Sequence, residues 1–128
     1  MRFMMLMIPK VYDQPLPDGW LPPADAIEKM VKYNESLGAA GLLLDLNGHH
    51  PPEKGKRVKF GGGKPVVIDG PFAEAKELVG GYWMIKADSL EQVTEWARKC
   101  PAEDGDIIEI RPIMELEEFP EEIQKLVP

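Results

Sequence analysis

Pro65-Val66-Val67-Ile68-Asp69-Gly70-Pro71-Phe72 is the stretch on which the reading of the fold turns. Val66, Val67 and Ile68 are β-branched and suit a pleated strand. Gly70-Pro71 ends that strand, because proline has no N–H for a ladder and restricts the residue before it. Leu78 to Ala87 reads as another strand, rich in Tyr82, Trp83, Met84 and Ile85. Its large apolar groups fall at both parities, so both of its faces are expected to be buried.

The flanks fall into place around these two runs. Arg2 to Ile8 is almost wholly apolar and closed by Pro9, the pattern of a strand covered on both sides. Pro9 to Pro23 holds five prolines and one glycine, an irregular loop long enough to suggest a lid or a partner contact. Pro22-Pro23-Ala24-Asp25 opens a helix, with proline in the first turn and Asp25 at its positive end. Ile27, Met30, Val31 and Leu37 recur along it at helical spacing, and Gly38 or Gly41 closes it. Gly41 to Leu46 is the next strand. Asn47 to Lys56 is a loop, Arg57 to Phe60 a weak strand, and Gly61 to Lys64 a turn. Ser89-Leu90-Glu91-Gln92 is a capping-box start to a second helix. Its stripe is Leu90, Val93, Trp96, Ala97 and Cys100, and Pro101 stops it. Ile107 to Ile113 is the last strand, with Pro112 placing it near an edge. Pro120 to Val127 forms a short terminal helix.

The order is strand, helix, four strands, helix, strand. With the weak strand at Arg57 set aside it is read as βαββαβ with one further strand between the helices, the ferredoxin-like α+β arrangement. Two helices then cover one face of an antiparallel sheet. A second copy, sheet against sheet, is the economical cover for the other face.

With 128 residues the chain fits one domain, 1–128, carrying the 9–23 proline loop and an acidic 114–128 tail. A domain of this size buries roughly two-thirds of its unfolded surface and needs no staples. The net charge of -7 argues against nucleic-acid binding, which needs a basic patch to displace counterions. Charge is nevertheless unevenly spread: Glu115 to Glu122 holds five glutamates, whereas Lys54 to Lys64 is basic. Both read first as solvated segments. One cysteine, Cys100, excludes an internal disulfide and fits a reducing cytoplasm. Its place after Trp96 and Ala97 favours a packed thiol over a nucleophile. No apolar run approaches the roughly 20 residues of a membrane helix, and the apolar start lacks a complete secretory signal.

Val67-Ile68-Asp69-Gly70-Pro71-Phe72-Ala73-Glu74-Ala75-Lys76-Glu77 resembles the signature of the DGPF-domain family of the YCII-related superfamily. The likeness continues through Val79-Gly80-Gly81-Tyr82, Ala87-Asp88-Ser89-Leu90, Trp96 to Pro101 and Ile108 to Ile113, and more loosely through the N-terminal half. It implies a dimeric α+β barrel and a bacterial protein, and little defined chemistry. Some members are named for a link to alternative sigma factors. YCII-like relatives carry a proposed His-Asp pair. The first helix of this chain has no histidine, so that pair does not carry over.

Asp69 is the leading candidate for chemistry. At the end of a buried strand its pKa would rise, fitting it as a general acid or base; the alternative is that it fixes the turn. Glu74, Lys76 and Glu77 follow as a charged cluster at a pocket mouth or on a solvated loop. Phe72 and Tyr82 offer an aromatic wall or core packing. His49-His50 point different ways and lack the three or four ligands of a metal site, so no metal or other cofactor is expected. Gly61-Gly62-Gly63-Lys64 lacks the spacing of a phosphate loop. Three functions remain open. The first is an accessory homodimer binding a small molecule or a protein. The second is a cofactor-independent enzyme on a small organic substrate using Asp69. The third is a regulator of transcription acting through a sigma factor.

Overall fold

The computed structural model describes residues 1–72 and 77–128. Six strands and three helices follow in order: β1 Arg2–Ile8, α1 Ala24–Ala39, β2 Leu43–Gly48, β3 Lys56–Lys59, β4 Val66–Asp69, β5 Gly81–Lys86, α2 Leu90–Arg98, β6 Ile107–Pro112 and α3 Glu121–Gln124. Four strands form one sheet in the order β2-β5-β1-β6, every pair antiparallel. This is the ferredoxin-like α+β arrangement, with the first strand in the middle and the last, Pro112-bearing strand at an edge.

The central strands divide their side chains by parity. Phe3 and Met5 of β1 face Ile85 and Trp83 of β5 across the ladder, and all four are buried. Tyr33 and Leu37 from α1 and Val93 from α2 close over them, so both helices lie on one face. Polar tips inside this core are satisfied: Tyr33 Oη donates to the Trp96 carbonyl at 2.8 Å, and Trp83 Nε1 donates to Asn34 Oδ1 at 2.8 Å. The opposite face carries Met4, Leu6, Tyr82 and Met84, each only half-buried in the single chain. The expectation that β5 is buried on both faces is thus met on one side only.

On α1 the buried stripe is Tyr33 and Leu37 with Met30 beside them, while Ile27 and Val31 are exposed, contrary to the stripe expected from apolar spacing alone. Tyr33 takes the core position that the aliphatic count overlooked. The helix ends in a Schellman motif. Leu42 N donates to the Leu37 carbonyl and Gly41 N to the Gly38 carbonyl, with Gly41 at φ +77°. Leu37 and Leu42, at the two ends of the motif, are both buried in the same core cluster. Gly41→Ala leaves the space open but strains the backbone, and it is expected to cost about 1 kcal/mol in urea unfolding. At α2, Ser89 Oγ accepts from Gln92 N, as the capping box requires, while Gln92 Oε1 reaches back one residue further, to Asp88 N.

A further expectation is overturned. The Val66–Asp69 strand is not buried and does not join the sheet. It pairs with β3, whose weak pattern had argued for discarding it, as a separate two-stranded hairpin with every residue exposed. Its β-branched residues signal a strand but not what the strand packs against. The Gly61-Gly62-Gly63 turn joins the two strands with all three glycines at positive φ.

Candidate functional site

The Asp69-Gly70-Pro71-Phe72 segment proves to be a docking joint. A Cβ on Gly70 would collide with the Pro52 carbonyl oxygen, so only glycine lets β4 pass the Pro52–Lys54 turn. Gly70 N donates to the Gly55 carbonyl at 3.0 Å, closing the neck of the hairpin. Gly70-Pro71 is a cis peptide. The Phe72 ring lies beneath the Arg57 guanidinium, 4.2 Å from its centroid, and beside Gly55. Asp69 accepts from Lys56 Nζ at 2.6 Å across the hairpin, with its side chain 75% exposed. The burial that was to tune this carboxylate is absent, and solvent-exposed pairs of this kind contribute little. Glu74 and Lys76 lie outside the described residues. Glu77 is exposed.

Polar side chains converge elsewhere, on the open face of the sheet. Tyr82 Oη donates to Asp45 Oδ2 at 2.8 Å, and Asn47 Nδ2 donates to Tyr82 Oη at 2.9 Å. His49 continues the row, its ring tilted against Tyr82 at 6.0 Å between centroids. Asp45, Asn47 and His49 are alternate residues leading out of β2, so strand geometry puts them on one side. Their neighbours across the ladder are Met84 and Tyr82 of β5. The row was hidden in the sequence because Asn47 to Lys56 read as a loop, which cut the strand short of its own alternation. Tyr82, read from the sequence as an aromatic wall with Phe72 or as core packing, instead anchors this row.

His50 is instead among the residues lining a cleft of about 500 Å³. Leu16, Pro17, Trp20, Leu21 and Lys54 line it as well. The proline loop is therefore one side of an open surface cleft. It is pinned at three points. Pro9 and Tyr12 sit against Gly80, where a Cβ would meet Pro9 at 2.7 Å. Lys10 N donates to Asp106 Oδ1, and Leu16 N donates to Glu53 Oε2.

Cys100 is half-buried, and that burial pushes its thiol up to about 11. Near neutral pH it is a protonated, packed thiol, the reading its helix-end position favoured. Among the described residues no three of His, Cys, Asp and Glu gather to hold a metal ion. No helix among them is long and apolar enough to cross a membrane.

The family model of the YCII-related domain matches residues 1–117. The chain belongs to the YCII-related family. A similar curated protein is an uncharacterised protein of Rhizobium meliloti (strain 1021), 35% identical over 69 residues. That match takes in 52% of this chain and 51% of the relative, so the chain spans about half the length of the curated relative it matches. Within the YCII-related domain, the hairpin, the polar row and the cleft all fall inside the matched span.

Proposed function

We propose that this YCII-related domain is a homodimeric binding protein for a small polar organic molecule, with Asp45, Asn47 and Tyr82 as its polar contact. The observation that carries this is the hydrogen-bonded row on an open sheet face. Three side chains of complementary donor and acceptor character are held in fixed geometry where a ligand reaches them. An arrangement ordered before binding saves the entropy of ordering it afterwards. A carboxylate, an amide and a phenol together suit a ligand that presents hydroxyl or amine donors.

The homodimer is supported by the same face. Met4, Leu6 and Met84 lie half-buried beside the row, and a second sheet laid over them would complete their burial. A barrel closed in this way would turn the row into the wall of an enclosed space, where hydrogen bonds count for more. The binding reading is favoured over acid–base catalysis by Asp69, because that carboxylate is open to water and tied to Lys56.

The test is two-dimensional NMR of labelled protein titrated with a fragment set of small hydroxyl- and amine-bearing compounds. Shifts are expected to cluster at Asn47 and Tyr82. For the best fragment, Tyr82→Phe is expected to weaken binding about fivefold to tenfold, the worth of about one hydrogen bond. Fragments that bind elsewhere, with the row silent, would overturn the site assignment. A monomeric mass in sedimentation at micromolar concentration would overturn the homodimer.

A further inference from the structure

The β3–β4 hairpin stands apart from the sheet as an arm. Each of its eight strand residues is exposed, among them Val58, Val66, Val67 and Ile68, and Phe60 at its end is 78% exposed. A lone two-stranded hairpin is marginal in water and needs something to pack against. The arm is also the basic part of an acidic chain: Lys54 to Lys64 contains five cations and no acid. Lys56 is tied to Asp69, and Arg57 covers Phe72. Lys59 and Lys64 form no ion pair among the described residues.

The segment from Glu115 to Leu126 has the opposite character. Glu115 is forked onto Arg2 at 2.8 and 3.0 Å, whereas Glu117, Glu121 and Glu122 form no ion pair among the described residues. Leu116, Phe119, Ile123 and Leu126 are exposed among them. Each segment therefore pairs exposed apolar groups with unneutralised charge, of opposite sign in the two. No hydrogen bond or ion pair joins them within the described chain.

We infer that the arm of one copy docks on the 115–126 segment of a second copy, basic strand against acidic turn. This rests on the homodimer proposed above and adds a contact distinct from the sheet face. A two-fold axis would make the contact twice, so one chain's two unsatisfied surfaces satisfy each other in the pair. Complementary fields of this kind govern register and on-rate, and salt weakens them. A nucleic-acid partner for the arm is disfavoured, because the five glutamates of the tail and the net charge of -7 repel phosphate.

The test is sedimentation velocity on charge-reversal variants at exposed positions. Lys59→Glu with Lys64→Glu, and separately Glu117→Lys with Glu121→Lys, are each expected to raise the dimer dissociation constant at least tenfold. Combining the four is expected to restore it to within about threefold of the parent. Zero-length cross-linking of mixed light and heavy-nitrogen chains is expected to give mixed-isotope peptides joining Lys59 or Lys64 to the glutamates of the tail. A dimer whose dissociation constant ignores both reversals, or a quadruple variant without rescue, overturns the arm contact and leaves the sheet-face dimer standing. A monomeric parent overturns the homodimer and the arm contact with it.

Discussion

Gly70→Ala is expected to detach the hairpin from the body and to destabilise the domain by about 2 to 3 kcal/mol. The added methyl collides with the backbone carbonyl of Pro52, with Gly55 O at 3.2 Å behind it. Neither oxygen belongs to a side chain that can swing aside, so the strain must be relieved by moving the chain, and overpacking of this kind costs about 1 to 3 kcal/mol. Relief by separation also breaks the Gly70 N to Gly55 O bond and lifts Phe72 from Arg57. Hydrogen exchange checks the mechanism: amides of Lys56–Lys59 and Val66–Asp69 are expected to lose protection while those of β1 and β5 keep theirs. Gly62→Ala is the contrast. No atom lies within 4 Å of its Cβ, and only positive-φ strain of about 1 kcal/mol is expected. Equal costs for the two variants would sink the idea of a joint.

Phe3→Ala is expected to have the larger global effect, about 4 kcal/mol, in the range for truncating a buried aromatic. Phe3 is fully buried at the centre of the sheet, opposite Ile85 on one side and Pro112 on the other. It has ladder partners on both sides and shares its core cluster with Tyr33 and Leu37 of α1 and Val93 of α2, so the cavity cannot collapse without moving several elements. Against a typical total of about 5 to 15 kcal/mol this is a large fraction, and the melting temperature is expected to fall by about 15 °C. Met4→Ala, one residue along and on the open face, is expected to cost about 1 kcal/mol in the isolated chain. Comparable losses would mean that the open face is as tightly packed as the core.

The sheet and its helices were legible because period and punctuation agreed. Arg2 to Ile8 carries a continuous apolar run, Ser89 to Gln92 a cap, and Pro112 an edge marker, and each has the place it implied. The hairpin was misplaced for a physical reason. Val66-Val67-Ile68 states a preference for extended backbone, and that preference is the same in a buried strand and in an exposed arm. Burial is decided by tertiary partners that a local run does not encode. Asp69 inherited that error, since its candidacy depended on a buried setting. The polar row was missed for the converse reason. Gly48, His49, His50 and Pro51 look like loop residues, yet the strand's alternation runs on to His49 and brings it to Tyr82. Tyr82 was singled out correctly as a residue, but its partners lie more than thirty positions away in sequence, at Asp45 and Asn47.

The closed neck at Gly55 and Gly70 has a consequence for how this protein changes over generations. The two ends of the excursion meet through one 3.0 Å hydrogen bond. From the standpoint of the sheet, everything from 56 to 69 is therefore a cassette with entry and exit at the same point. Its length and chemistry are free to drift without shifting the register of β2 against β5, provided the small residues at the gate are kept. Selection on what the cassette touches is in this way uncoupled from selection on the core.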